Sequence, residues 1–476
     1  MSRPIVRITE MSIQNFKNVV NGSLSLINTR KDYKASIVGI YGQNGSGKTS
    51  VIEVLSLLKN VLCGQPVPAE YADFINIDAT EATLSFQFRI LLSSGPQTVN
   101  YQFSIKSIID ESTHNSSIPD QNVRRLIIFN ELLKCPILTE RSAKMGRMID
   151  TNSSAGFSPA SKRELLTGLK KDTMTDLLVA KKLALATSRS FIFSRELLDI
   201  IRKNVRSRKN QGNLPQDLDY YCMLIESLVD FGNNHLFIAG TSHTSMTSLN
   251  IQPLMFQFVE GRHGYQGIIM LPLDKPIEIE ERIKNVVEKI ITNMNTVLTQ
   301  LIPGLNIGIR DLGSVLLSSG EQGNRIQLLS RRNNKDIPLI YESEGIKKII
   351  SILQMLIVVY NQPSITVAVD ELDAGVFEYL LGELLRIIAE KGKGQLIFTS
   401  HNLRPLETLD RGFIVFTTTN SKKRYIRMAN VKENNNLRDF YYRDIMLGEQ
   451  DEELYEITNN AEISLAFREA GEYSGS

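Results

Sequence analysis

The amino-acid sequence predicts an α/β fold whose largely parallel sheet carries a phosphate-binding loop at the carboxyl ends of its strands. Three observations support this fold class. A glycine-rich P-loop at 42–49 directly follows an apolar run and directly precedes a long apolar helix-like stretch. A β-branched run at 364–369 ends in two acids, Asp370 and Glu371. A helical segment and a second strand at 395–399 follow, which is the alternation typical of a parallel sheet.

The P-loop reads Gly-Gln-Asn-Gly-Ser-Gly-Lys-Thr. Backbone N–H groups at a helix N-terminus attract phosphates, a lysine at this position adds positive charge for the β- and γ-phosphates, and the following hydroxyl can ligate Mg²⁺. A glycine-rich turn without a ligand is the alternative, but the strand-loop-helix context favours ATP with Mg²⁺. The predicted nucleotide-binding residues are Gly42, Gln43, Asn44, Gly45, Ser46, Gly47, Lys48 and Thr49, of which Thr49 is also a predicted metal ligand.

Composition restricts the classes of function. The chain has 476 residues and 42% hydrophobic content, enough for one large domain or two interleaved ones. Lys plus Arg number 54 and Asp plus Glu 52, so a net charge of +2 gives no global reason to expect a nucleic-acid or membrane partner. The three cysteines form no zinc-like or disulfide-like pattern, and no apolar run approaches the roughly 18 residues that span a bilayer. We therefore expect a cytoplasmic protein.

Hydrophobic periodicity divides the chain into four parts. The first, 1–134, is expected to hold the strands and the P-loop of an N-terminal lobe. The second, 135–278, is expected to be a mainly helical insertion, in which a basic stretch, 203–213, separates two helix candidates as a solvated loop. The third, 279–450, begins with a strongly amphipathic helix and forms a C-terminal lobe. The last, 451–476, is an acidic tail.

The acids at the end of the 364–369 strand are candidate catalytic groups. Two carboxylates at one strand end can divide the work: Asp370 would hold the Mg²⁺ hydration shell and Glu371 would polarise the attacking water. An acidic turn after a buried strand is also common, and the P-loop is what favours the catalytic interpretation. His401, just after the next strand, is a candidate for contact with the γ-phosphate, although a single histidine is often structural. Asp373 is a candidate interface residue.

Two segments compete to bind phosphate at a second helix N-terminus. The segment 317–322, Leu-Ser-Ser-Gly-Glu-Gln, is followed by residues that predict a hairpin, whereas Glu342-Ser343-Glu344-Gly345 precedes an apolar face at helical spacing. We therefore favour Ser343 and Gly345. An ordinary amphipathic helix that Ser343 caps is the alternative.

These segments, in this order, resemble the ABC/SMC-like ATPases of prokaryotic antiphage defence, the group around RloA and the ATPase half of OLD-type proteins within the AAA family. The resemblance lies in Asn15-Phe16-Lys17, GQNGSGKT, ESEGIKKI, VAVDELDAG and FTSHN. It implies an ABC/SMC-type ATPase head, a P-loop NTPase with a mixed sheet, an antiparallel β subdomain and a helical insertion.

The resemblance further implies that two subunits sandwich two ATP molecules. Glu371 would then be the base and His401 the switch residue. Ser343 and Gly345 would be the signature that contacts the partner's ATP, and Asp373 would belong to the D-loop. Two departures stand out. Glu342-Ser343-Glu344-Gly345 replaces the usual Leu-Ser-Gly-Gly, and Gly375-Val376-Phe377 replaces a common Leu-His-Pro.

Three functions remain open at this stage. The first is a slow ATPase whose ATP-dependent dimer, or higher homo-oligomer, switches a separate toxin or nuclease effector in antiphage defence. Only 75 residues follow His401 and the chain has only five histidines, so neither a Toprim nor an HNH nuclease centre is expected within it. The second is a RecF/SMC-like DNA-repair ATPase that clamps DNA. Its support is a local basic cluster that consists of Arg202, Lys203, Arg206, Arg208 and Lys209. The third is a scaffold that binds ATP but barely hydrolyses it.

Overall fold

The computed structural model describes residues 4–28, 35–109, 124–139, 142–168, 171–240, 250–260, 263–333, 335–428, 436–448 and 450–472. The N-terminal part forms strands β1 to β3, helix α1 and strands β4 to β7. Their bounds are Ile5–Phe16, Val19–Ser25, Ser36–Tyr41, Lys48–Leu62 for α1, Glu81–Leu92, Gly95–Ile109, Arg124–Thr139 and Ser142–Asp150. Six of these strands form one antiparallel sheet in the order β2-β1-β4-β5-β6-β7, which is the predicted antiparallel subdomain.

Four helices follow this sheet. They are α2 (Ala160–Thr167), α3 (Lys171–Ala186), α4 (Arg195–Asn210) and α5 (Gln216–Asn234). The interpretation of 203–213 as a loop is wrong, because most of this stretch continues α4. Leu197, Leu198 and Ile201 are buried on one side of α4 and the Ser194 side chain caps its N-terminus, so packing and capping override the polar composition.

The next segment returns to strands before the second long helix. Strands β8 to β11 are Leu236–Ala239, Ile251–Glu260, His263–Pro272 and Ile277–Glu280, and helix α6 is Glu281–Leu301. Strands β12 (Asn306–Leu316), β13 (Gln322–Arg332) and β14 (Lys335–Pro338) then pair antiparallel. The segment 317–322 therefore belongs mainly to the turn between β12 and β13, as its predicted hairpin context indicates.

The C-terminal part supplies the rest of the second sheet. Its elements are α7 (Glu344–Asn361), β15 (Thr366–Val369), α8 (Glu378–Lys391), β16 (Gln395–Thr399), α9 (Pro405–Thr408), β17 (Ile414–Thr417), β18 (Tyr425–Ile426), α10 (Leu437–Leu447) and α11 (Asn460–Glu472). The sheet has the order β18-β17-β3-β16-β15-β8. All its pairings are parallel except that of β17 with β18.

The parallel sheet separates two hydrophobic cores. Neighbouring residues of each strand point to opposite faces, so Val38 and Ile40 of β3 pack with α1 and the antiparallel sheet, while Ile37 and Tyr41 pack with α6, α7 and α8. Helices on both faces of a parallel sheet confirm the predicted fold class, and they leave the carboxyl ends of β3, β15 and β16 at one edge. Within the described residues, no helix is long and apolar enough to cross a membrane.

Candidate functional site

The P-loop lies between β3 and α1, as predicted. Lys48 is the first residue of α1, and its ammonium donates hydrogen bonds to the carbonyl oxygens of Gly42 at 2.8 Å and Gln43 at 2.9 Å. The side chain therefore folds back over the loop, where phosphate oxygens would bind. Burial lowers the pKa of Lys48, and the nearby carboxylates of Asp370, Glu371 and Asp373 oppose this shift.

Two glycines permit the tight path of this loop. Gly47 has a φ of +91°, in the left-handed region that side chains disfavour. A Cβ on Gly42 would lie 1.8 Å from the Thr417 hydroxyl oxygen. The loop can therefore lie directly against β17 only because residue 42 has no side chain.

The β17–β18 hairpin holds the P-loop from behind. The hydroxyls of Ser46 and Thr417 form a short hydrogen bond, and the Tyr425 hydroxyl donates to the Gly47 carbonyl at 2.8 Å. Asn18 donates to the Gly45 carbonyl from the turn between β1 and β2. Thr417 and Tyr425 were not predicted, because nothing in their local sequence connects them to a loop nearly 380 residues away.

The acids Asp370 and Glu371 lie immediately after β15, which is separated from β3 only by β16. The Asp370 carboxylate is fully buried and its Oδ1 lies 3.4 Å from the Thr49 hydroxyl oxygen. A hydroxyl and a carboxylate oxygen suit Mg²⁺, which keeps most of its ligands as water and phosphate oxygens. The donor set therefore fits the predicted ion, with Thr49 and Asp370 as the residues that would hold it.

One cavity of about 320 Å³ collects these groups. Its lining includes the predicted residues Asn44, Gly45, Gly47, Lys48, Thr49, Asp370, Glu371 and His401, together with Lys17, Asn18, Ser50 and Thr399. Elements from both ends of the chain thus converge at the carboxyl edge of the sheet.

Glu371 has an unusual backbone conformation. Its φ is +48°, which is uncommon for a residue with a side chain. Its backbone N–H donates to the Thr399 hydroxyl at 2.8 Å, and the same hydroxyl donates to Asp370 Oδ1 at 2.6 Å. Thr399 is therefore a site residue that no sequence motif predicts. Its position at the end of β16, beside the acids of β15, is the only available signal.

Asp373 holds the segment that carries His401. Its Oδ2 accepts hydrogen bonds from the backbone N–H groups of His401 at 3.0 Å and Asn402 at 2.8 Å. The His401 side chain is exposed at the wall of the P-loop cavity. Within one subunit, the Asp373 carboxylate thus orients the segment that carries His401. Its contact with a second subunit stays a prediction.

Ser343 and Gly345 lie at the start of α7 and do not line the cavity. The Ser343 hydroxyl accepts from the Ile346 N–H at 3.4 Å, so the residue caps the helix. Gly345 contacts the backbone of Gly375, just beyond the acids. The helix N-terminus thus exists as expected, and its contact with phosphate in another subunit stays a prediction.

A second cavity of about 660 Å³ adjoins the first at Asn44 and His401. The segment before α11 forms part of its wall, and the Glu456 N–H donates to the Gln43 side chain at 2.9 Å. Gln43 is therefore engaged by the C-terminal tail.

In the sequence, Lys17 is distinguished only by its place in the Asn15-Phe16-Lys17 segment. Its ammonium pairs with Glu53 of α1 at 2.5 Å, lies 3.9 Å from the centre of the Phe74 ring, and contributes to the lining of the P-loop cavity. Burial raises the pKa of Glu53, and Lys17 opposes this shift. The turn between β1 and β2 thus adds a cation to the lining of the cavity.

No protein-family model and no curated protein matches the chain. Solved structures similar to it include an Smc head bound to the C-winged helix domain of ScpA, with 10% identity, 89% of this chain and 98% of that chain covered, and a TM-score of 0.41. Another is the SMC head domain from Thermotoga maritima, with 11% identity, 89% of this chain and 99% of that chain covered, and a TM-score of 0.36. A third is the recombination mediator protein RecF, with 13% identity, 85% of this chain and 95% of that chain covered, and a TM-score of 0.33.

At these identities and TM-scores the similarities carry no argument about activity. The fold class follows from the topology. A P-loop on a mixed sheet, the buried Asp370 and the partly buried Glu371 after the next strand but one, an antiparallel subdomain and a helical insertion together give the predicted α/β fold, with the layout of an ABC/SMC-type head.

Proposed function

We propose that this chain is an ATP- and Mg²⁺-dependent ATPase whose ATP-bound form is a homodimer, and that it switches a separate effector protein in an antiphage module. One observation carries the ATPase part. The Thr49 hydroxyl and the Asp370 carboxylate lie 3.4 Å apart, in the cavity that Lys48 and Glu371 also line. This constellation suits phosphoryl transfer to water.

The residues have distinct roles in this proposal. P-loop N–H groups and Lys48 bind the β- and γ-phosphates. Thr49 and Asp370 would hold Mg²⁺, which when bound would neutralise phosphate charge. Glu371 accepts a proton from water as its oxygen attacks the γ-phosphorus. The bond to the bridging β–γ oxygen breaks, and ADP leaves with that electron pair. His401, which also lines the cavity, contacts the γ-phosphate.

The dimer part rests on what one subunit lacks. Within the described residues, Ser343 and Gly345 do not line the P-loop cavity, yet they begin a capped helix of 18 residues, a suitable phosphate-binding end. A second copy could bring this end to the γ-phosphate. The closed dimer would then be the state that an effector reads. Three unpaired cysteines fit the expected cytoplasmic location.

The Glu371→Gln variant tests the proposal. It should retain ATP with Mg²⁺, lose hydrolysis and accumulate as a dimer in light scattering, because binding groups stay and the base is lost. Lys48→Ala should lose ATP binding and remain monomeric.

Absence of ATP binding by the wild-type protein would contradict the proposal. Full retention of phosphate release by Glu371→Gln would remove Glu371 from its role. ATP binding with negligible wild-type turnover and no dimer would favour the scaffold.

A DNA clamp is the second candidate, because Lys203, Arg206 and Lys209 are exposed at a spacing of three along α4 and so share one side of that helix. Replacing all three with Gln should weaken DNA binding. If each contacts a phosphate, the slope of the logarithm of the binding constant against the logarithm of the salt concentration should become shallower by about three. Lys289→Gln, on an exposed position of α6, is the control. Unchanged or absent DNA binding would reject this candidate while leaving the ATPase intact.

A further inference from the structure

Two adjacent lysines of α7, Lys347 and Lys348, are almost completely buried, with 3% and 5% of their surfaces exposed. A buried ammonium is costly unless nearby groups compensate it. Lys347 forms an ion pair of 3.0 Å with Glu344 on the same helix. The compensation of Lys348 comes from a different part of the molecule.

The first turn of α7 lies against the segment that follows Glu371. A Cβ on Gly345 would approach the Gly375 carbonyl oxygen to 2.3 Å, so the two backbones are in direct contact. Lys348 comes three residues after Gly345 and therefore lies on the same side of the helix, one turn further on. Lys348 is therefore on the side of α7 that faces the segment after Glu371.

The electrostatics agree with this placement. Burial lowers the pKa of Lys348, and Glu371, Asp373 and Asp370 oppose the shift in that order of strength. The same three carboxylates act on Lys48, with Asp370 first. Lys48 and Lys348 are thus two buried lysines whose charge is favoured by the same group of three acids.

We propose that Lys348 is a positioning residue that holds Glu371 and Asp373 of its own subunit in place. It links these acids to the N-terminus of α7, the end that would contact phosphate in a second copy. The inference rests on the proposed function, in which Glu371 is the base. Glu371 keeps a positive φ, which needs support from its surroundings. A movement of Ser343 and Gly345 towards phosphate would carry Lys348 with it. Phosphate contact at one site would thereby reach the base of the other.

Kinetics of three variants test this role. Lys348→Met should lower kcat for ATP hydrolysis about tenfold or more, since supporting residues behind a site typically act on this scale, while KM changes by less than about threefold because the P-loop is intact. Lys348→Arg should restore much of kcat. Lys347→Met, equally buried on the same helix, should leave kcat near wild type. Equal loss in Lys347→Met, or no loss in Lys348→Met, would overturn the inference.

A double-mutant cycle in thermal unfolding gives a readout that does not need hydrolysis. Lys348→Met should lower the melting temperature, and adding Glu371→Gln should recover part of the loss, because one uncompensated carboxylate is removed. The Lys347→Met and Glu371→Gln effects should add. An additive Lys348 cycle would overturn the inference. A wild-type protein that does not hydrolyse ATP would instead reject the proposed function, with the cycle still deciding on Lys348.

Discussion

The Thr399 hydroxyl donates a hydrogen bond of 2.6 Å to Asp370 Oδ1. Its oxygen also accepts the Glu371 N–H at 2.8 Å. Both side chains are buried, and they lie at the ends of neighbouring parallel strands. Because one hydroxyl serves both partners, it orients the carboxylate of the proposed metal ligand and the backbone of the proposed base together.

Replacement of this hydroxyl should affect the chemical step. Thr399→Val keeps the shape but removes both hydrogen bonds, so we expect hydrolysis to fall about 10- to 100-fold, as is typical when the support of a metal ligand is lost. Thr399→Ser keeps the hydroxyl and should remain within a few-fold of wild type. Phosphate release at saturating ATP and Mg²⁺ measures both. Wild-type turnover in Thr399→Val would show that the link is dispensable.

The sequence was sufficient to predict the P-loop, the acid pair and their meeting at one sheet edge. Each lies where a strand ends, and parallel strands place their carboxyl ends together. The choice of Ser343 over 317–322 as a helix start also agrees with the structure, since Ser343 caps α7 and 317–322 lies mainly in a turn. For these two segments, the hydrophobic periodicity of the residues that follow was more informative than the similarity of the segment itself to a signature motif.

Two kinds of feature could not be predicted in this way. The polar composition of 203–213 predicts a loop, whereas the buried Leu197, Leu198 and Ile201 that hold α4 lie earlier in the helix. The contacts of Thr417 and Tyr425 with the P-loop arise only from the pairing of β17 with β3. Such contacts depend on tertiary structure and have no local pattern.

The contact between Gly345 and Gly375 should tolerate no side chain. In Gly345→Ala the added Cβ would lie 2.3 Å from the Gly375 carbonyl oxygen, so α7 must move and we expect a loss of about 1–3 kcal/mol in the free energy of unfolding. Gly308→Ala is the control, because its Cβ would meet only the end of the Arg331 side chain at 4.0 Å. Chemical denaturation compares the two. Equal stability would contradict the close packing.

A buried carboxylate in the β subdomain should make stability depend on pH. Glu131 accepts hydrogen bonds from the Tyr101 hydroxyl at 2.7 Å, the Phe191 N–H at 2.6 Å and the Ser190 hydroxyl. Burial nevertheless raises its pKa above the ordinary value of 4.5. The folded state therefore favours the protonated acid. The corresponding stability is present below about pH 4.5 and is lost as pH rises through the higher pKa of the folded state.

The variant Glu131→Gln removes this titration. As pH rises above 4.5, the free energy of unfolding of this variant should therefore fall less than that of the wild type. Glu462→Gln, at an exposed position of α11, should keep the wild-type profile. Denaturant unfolding at several pH values measures the three proteins. Parallel profiles for wild type and Glu131→Gln would show that burial does not perturb this carboxyl.

The part of the C-terminal tail that precedes α11 should stabilise the P-loop. The Glu453 carbonyl accepts the Thr419 N–H at 2.8 Å, Glu452 pairs with Lys423 at 3.1 Å, and the Glu456 N–H binds Gln43. Truncation after residue 450 removes these contacts and should weaken ATP binding about fivefold, which corresponds to about one hydrogen bond or 1 kcal/mol. Truncation after Asn459 leaves these contacts in place and removes α11, whose residues 460–471 are all exposed, so it should preserve affinity. Titration with a fluorescent ATP analogue compares the two proteins, and equal affinities would exclude support of the P-loop by the tail.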